Sequence, residues 1–598
     1  MSHTFHIPVL GLAYSIDTPL KVARFGIAST VSIVDDELIE RMRKYHSEQN
    51  DLPFVPISKS LPNHRAARIT AYLNLMNDMV NHQFSRLRNE PILPGSDIER
   101  YFNLLPENST LKQGFDLLAD FEDRERRNLF ENILRGKMTR GAIDVNIMAK
   151  VDAMNFDKEG NYTGDENTDA LAALRGFAES DLESSVVISA GMNPKLYSYL
   201  EAFKDFFPDE NGNLRKKVIL KVSNYRSALI QAKFLAKKGI WVSEFRIESG
   251  LNCGGHAFAT DGFLLGPILE EFKADKEKMR LELFGMYKAA LEAKGYFDQA
   301  MPLQKISVQG GIGTANENKF LLTYYQLDGT GWGSPFLLVP EATNVDQDTL
   351  NQLATATSED YYLSSVSPLG VLFNNFKKSS VSALQQARVL KGRPGSPCTK
   401  KYLANNTEFT EKPICTASRQ YQELKIKQLA ALPLTEEEYK EQFKAVTEKT
   451  CLCEGLTATV YIQNGILKPK ENSAVAICPG PNLAYFSGIY SLQEMVNHIY
   501  GKIDLLKDSA RSNIFINELN LYVDYLTKEL SRYQDSLNDK KAKYFEGFKA
   551  QLNNGIAYYK QLLPRMTEYS KNYLDKMLDE LLATELKVSL IEIGATVQ

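Results

Sequence analysis

His256 closes the run Ser249-Gly250-Leu251-Asn252-Cys253-Gly254-Gly255-His256, just past an apolar stretch that ends at Ile247. A free imidazole titrates at about pH 6.5, so a histidine placed here can take or give a proton at neutral pH. Loop histidines more often serve structure. Here Gly254 and Gly255 shift the reading toward catalysis, because glycines at a strand end let backbone press against a flat ligand. Farther along stand Gln309-Gly310-Gly311-Ile312-Gly313 and Asp328-Gly329-Thr330-Gly331-Trp332-Gly333-Ser334-Pro335-Phe336. Either loop alone reads as a tight strand–helix turn. Together they suit a phosphate seat of bare N–H groups at Gly310, Gly311, Gly313 and Gly333, with the Ser334 hydroxyl as a further donor. As a dinucleotide fingerprint the first loop fails, since Asn316 stands at the third glycine position.

The elements that must hold these loops alternate. Strands are expected at 186–190, 218–222, 242–247, 306–309 and 330–339, with helices at 194–206, 225–237, 267–294 and 317–325 between them. Such alternation means parallel strands with crossover helices, in a closed barrel or an open doubly wound sheet. An opening strand–helix–strand unit covers 5–34, with Pro19 at the first turn of its helix. From about 36 to 140 the period turns helical (Ile69, Tyr72, Leu73, Met76, Val80), which marks an insertion, and 142–148 returns to strand. The polar loop 157–169 lacks the order of a calcium loop. Leu519, Val523, Leu526, Leu530, Tyr533 and Leu537 form a four-three seam in an almost wholly helical C-terminus. The expected units are 1–375, a Cys-containing region 376–490 and a helical region 491–598, whose helices could also join copies into an oligomer.

At 598 residues the chain exceeds one ordinary core. With 43% apolar and 24% charged residues and a net charge of −4, it offers no basic stripe for nucleic acid. No apolar run is long enough for a membrane span, and Met1-Ser2-His3-Thr4-Phe5-His6 does not open a secretory signal, so a cytoplasmic location is expected.

The motifs resemble the FMN-dependent nitronate monooxygenase family (2-nitropropane dioxygenases), which includes flavin-containing enoyl-acyl-carrier-protein reductases. Gly250 to His256 match its Gly-x-Glu-Ala-Gly-Gly-His loop, Gly310 to Gly313 its Gly-Gly-Ile-Gly loop, and Leu327 to Phe336 its late strand. Pro8, Gly11, Thr18-Pro19, Ala23 and Gly26 are similar to its N-terminal pattern, and Asn146 stands where it often has a flavin-contacting Asn. The resemblance spans roughly 5–355. It implies a (β/α)8 TIM barrel, here with a helical insertion and a mostly α-helical, Cys-containing C-terminal region. It further implies FMN at the C-terminal mouth on Gly11, Asn146, Gly254, Gly255, Gly310, Gly311, Gly313, Gly333 and Ser334. His256 would face the flavin ring and shuttle a proton to a small carbon acid, with O2 or NAD(P)H as co-substrate. Asn252, Cys253 and Pro335 depart from the family's Glu, Ala and Arg, which leaves the substrate open.

Cys398, Cys415, Cys451, Cys453 and Cys478 fall in one segment. They could hold an iron–sulfur cluster or zinc, but no Cys-x-x-Cys pair is present and the spacing is irregular, so buried free thiols are the plainer expectation.

Overall fold

The computed structural model describes residues 2–148, 152–157, 159–189, 191–257, 261–506, 509–533 and 537–594. Eight parallel strands close into a barrel: β1 (Phe5–Ile7), β2 (Ala28–Ser32), β3 (Ile143–Ile147), β4 (Ser184–Ile188), β5 (Lys216–Val222), β6 (Val242–Glu248), β7 (Lys305–Gln309) and β8 (Gly329–Gly331). Closure is made where Phe5 pairs with Thr330 and His6 with Gly331. The alternation therefore resolves to the closed barrel and not the open sheet. Ala190, the last residue of one expected strand, lies outside the described residues.

Val145, Val186, Val218, Phe245, Ile247 and Val308 are buried beneath the surrounding helices. The alternating positions, which face inward, are mostly polar, with Val187 and Ile219 as apolar exceptions. Arg246 spans Asp144 (3.2 Å) and Glu244 (2.9 Å), Ser307 donates to Glu244, Lys221 pairs with Glu248 at 3.0 Å, and Gln309 donates to Glu248 at 2.8 Å. A barrel of this kind is ordinarily filled by branched apolar side chains. Here the N-terminal end opens into a cavity of about 470 Å³ lined in part by His6, Asp144, Glu244, Arg246 and Ser307.

The insertion forms helices at Asp36–Gln49, His64–Asn89, Asp97–Leu104, Thr110–Asp116 and Arg124–Lys137. Arg65 and Arg68 of the second bind Asp36 of the first. The expected long strand 330–339 stops at Gly331, because Pro335 opens a 3-10 helix over Ser334–Leu338. In the C-terminal part a hairpin pairs β9 (Tyr361–Ser364) with β10 (Phe373–Phe376), followed by helices. Three of these, Ile514–Tyr533, Asp539–Leu562 and Lys571–Ser589, pack on one another, and the first two also pack on the barrel helix Leu265–Glu292. Gly266 and Gly555 allow that approach: a Cβ on either would lie 2.4 Å from Tyr559 or 2.3 Å from Leu264. Among the described residues no helix is long and apolar enough to cross a membrane.

Candidate active site at the barrel mouth

The loops that leave β6, β7 and β8 meet at the C-terminal end of the barrel, as the motifs require. Gly311 packs on Leu251 and Gly333 on Cys253, so both phosphate-type turns lie against the 249–256 loop. What fills the space between them is the chain itself.

Around the β7 loop, the N–H groups of Gly313 and Thr314 both donate to Oε2 of Glu317, at 2.8 and 3.3 Å. Glu317 lies in the first turn of the helix Ala315–Tyr324 and completes a capping box with Thr314. Its other oxygen accepts from Arg511 Nη1 and from the backbone N–H of Ile514, both at 2.7 Å. Arg511 in turn donates through Nη2 to the Gly311 carbonyl (2.7 Å) and through Nε to Asn482 Oδ1 (2.9 Å), while Asn482 donates to the Ile312 carbonyl (2.8 Å). The His498 ring meets the Gly313 carbonyl at 2.8 Å. Both charged side chains are sealed, Glu317 at 1% and Arg511 at 3% exposure. A Cβ at position 313 would sit 2.6 Å from the guanidinium, so glycine there makes room for Arg511.

Ser334, Gly254 and Gly255 are engaged as well. Ser334 Oγ donates to the Cys253 carbonyl (3.0 Å) and accepts from the Gly480 N–H (2.7 Å). Gly254 pairs with Pro479, and its N–H donates to Asn252 Oδ1 at 2.9 Å. The Gly255 N–H donates to the Cys478 carbonyl at 3.0 Å. Gly254 has φ +114°, and a Cβ there would lie 2.2 Å from that same carbonyl. These glycines do admit a closely approaching surface, and it is the backbone of 478–480.

His256 holds Ser367 Oγ with Nε2 at 2.7 Å and stacks edge-on against Phe373 at 5.0 Å. Asn252, at φ +30°, braces the loop by donating to the His256 carbonyl (3.0 Å) and accepting from Asn374 (2.9 Å). Burial pushes the Cys253 thiol far up and the Cys478 thiol up to about 12, so both stay protonated at neutral pH. Gly11 lies against Tyr14, with Leu456 of the C-terminal region 3.8 Å from where its Cβ would be. Asn146 is half-buried on β3, on the face opposite Val145 and Ile147. Glu518 seals the base of the β6 loop, accepting from Ser249 Oγ (2.9 Å) and from the N–H groups of Gly250 (2.7 Å) and Leu265 (2.6 Å).

Sequence reasoning passed over Glu317, Arg511, Asn482 and Glu518. Thr314-x-x-Glu317 carries the capping-box signal and could have been found. Arg511 stands 194 residues beyond its partner and left no local sign.

A flavin phosphate does not fit this arrangement. At the predicted seat its dianion would find the Gly313 amide already taken by a buried carboxylate and would be set against that carboxylate's charge. Of the cysteines, Cys478 belongs to the mouth. Among the described residues no three His, Cys, Asp or Glu side chains are grouped so as to hold a single metal ion.

No protein-family model matches the chain, and no curated protein matches it by sequence. Solved structures do. FabK from Thermotoga maritima is similar at 10% identity over 87% of this chain and 96% of that one, with a TM-score of 0.38. The enoyl reductase domain of MlnA, from the macrolactin biosynthesis cluster of Bacillus amyloliquefaciens, is similar at 14% identity over 73% and 87%, with a TM-score of 0.32. Nitroalkane oxidase from Streptomyces ansochromogenes is similar at 10% identity over 65% and 87%, with a TM-score of 0.27. The matched structures thus include an enoyl reductase and a nitroalkane oxidase, and at these scores they add nothing to the barrel that its strand pairing already establishes.

Proposed function

We propose that this chain is a barrel of the flavin-oxidoreductase type whose cofactor seat has been taken over by its own Glu317 carboxylate, held by Arg511 of the C-terminal region, leaving a non-catalytic scaffold. One observation carries the reading: the Glu317 carboxylate sits on the Gly313 and Thr314 amides and is locked there by Arg511. A site that awaited an anion would leave those donors to solvent. Here the anion is built in.

A second reading, that of a working FMN-dependent oxidoreductase, is favoured by the glycines the motif retains. Gly254, Gly255, Gly310 and Gly311 all keep positive φ, the conformation the resemblance requires of them. For that enzyme Glu317 must first release the amides. His256 would then be the proton carrier for a nitronate or an activated alkene.

The two are separated by adding FMN to the purified chain. The scaffold reading expects a colourless protein that leaves FMN free. A yellow protein holding one FMN per chain overturns it. In that case anaerobic NAD(P)H distinguishes the substrates, since bleaching marks an enoyl-thioester reductase and none is needed by a nitronate monooxygenase.

A further inference from the structure

The cavity of about 470 Å³ at the N-terminal end of the barrel is large enough for a small molecule. It exists because Ala28, Ser185, Ser307 and Gly329 line positions that branched apolar side chains ordinarily fill. Two residues farther along β5, β6 and β7, Lys221, Glu248 and Gln309 bond to one another and form the next layer. Among the described residues, none of the mouth loops lines this cavity. It is a separate place in the molecule.

Its lining carries a charge surplus. The carboxylates of Asp144, Glu183, Glu244 and Asp328 stand against the cations of Lys217, Arg246 and Lys305, four against three. His3 and His6 also line it, and burial keeps both rings uncharged at neutral pH. The surplus sits deep. Arg246 is the shared partner there, giving Nη2 to Asp144 Oδ2 at 3.2 Å and Nε to Glu244 Oε1 at 2.9 Å. Ser307 Oγ donates to that same Oε1. Among the described residues no hydrogen bond reaches Asp144 Oδ1 or Glu244 Oε2. Because both carboxylates touch one guanidinium, those two open oxygens lie in one small region. His6 Nε2, on a residue only 7% exposed, likewise has no hydrogen-bond partner. Burial also raises the Asp144 carboxyl in spite of Arg246, so one guanidinium does not offset the desolvation of two acids.

We propose that this cavity binds a small organic cation with several N–H donors, an amidinium or guanidinium group, on Asp144 Oδ1 and Glu244 Oε2. A planar cation of that kind supplies two charge-assisted hydrogen bonds and the missing positive charge together. Water would satisfy the open lone pairs but leave the surplus in place. Binding here does not depend on whether the flavin-type seat at the mouth is filled.

The test is calorimetric titration of the full chain with three flat probes of similar shape: benzamidine (cationic), benzamide (neutral) and benzoate (anionic). Benzamidine is expected to bind at a single site, at least about tenfold tighter than either of the others. Asp144→Asn keeps the shape, removes the charge and should weaken benzamidine by at least about tenfold. Ser185→Phe, which fills the space, should abolish binding, and added FMN should leave the wild-type titration unchanged. Equal affinity for the three probes, a preference for benzoate, or no binding at millimolar probe overturns the proposal. So does wild-type affinity in Asp144→Asn, or competition by FMN. Because the ranking of probes by the wild-type chain decides first, a variant that fails to fold does not rescue the idea.

Discussion

Glu317 and Arg511 form a sealed ion pair, and its energetics differ from those of a surface pair. Removing one partner leaves the other buried and charged, which costs about 3–5 kcal/mol. Glu317→Ala and Arg511→Ala should each lower urea stability by that order. The double variant should lose clearly less than the sum, because neither charge is then left alone. Simple additivity would mean that the pair is not coupled as described. Glycines give a second contrast. Gly254→Ala drives a methyl into the Cys478 carbonyl at 2.2 Å, whereas Gly255, with φ +78°, has nothing within 4 Å of its Cβ. Gly255→Ala should cost on the order of 1 kcal/mol from backbone strain alone, and Gly254→Ala distinctly more. Equal costs would contradict the close approach of 478–480. This is where the sequence was legible and yet pointed elsewhere: the glycine at 254 correctly signals a pressing neighbour, but residue type cannot say whether that neighbour is a ligand or the chain's own backbone.

The strands carry a titration of their own. Burial holds His3, just before β1, down at about 4 and His6, within β1, at about 3. For Glu244, burial works upward, but the Arg246 guanidinium, His6 and the Ser307 hydroxyl together outweigh it and bring the carboxyl to about 2. Below about pH 6.5 the unfolded chain protonates both histidines while the folded chain does not, so the unfolded state binds more protons and stability falls as pH falls. Each histidine contributes a loss on the order of 1 kcal/mol per pH unit, down to about 4 for His3 and about 3 for His6. The urea midpoint should therefore drop between pH 7 and pH 5, and a His6→Gln variant should drop less. A flat midpoint would place these rings in water. Val, Ile and Phe at alternate strand positions made most strands readable in the sequence. The expected last strand runs too far because Thr330 to Val339 holds no charged residue, and only the Pro335 ring converts its second half to a 3-10 helix. The polar inward face could not be read, since alternation looks the same whether the other face meets water or lines a barrel.

At the scale of the molecule, the C-terminal region is part of the barrel's closure. Arg511 precedes the helix Ile514–Tyr533, Glu518 lies within it, and Asn482 and Gly480 come from the loop before His498, so one run of chain seals three βα loops at once. The helical seam was legible from Leu519, Val523 and Leu526, which are all buried. Its destination was not, because a heptad pattern specifies an apolar partner without naming it.

Amide hydrogen exchange at Gly311 to Thr314, with and without added FMN, tests the central claim most directly. A seat already filled by Glu317 gives slow exchange at Gly313 and Thr314 in the flavin-free protein, unchanged when FMN is added. Fast exchange that becomes protected only in the presence of FMN would show a site waiting for its cofactor, and would contradict the account.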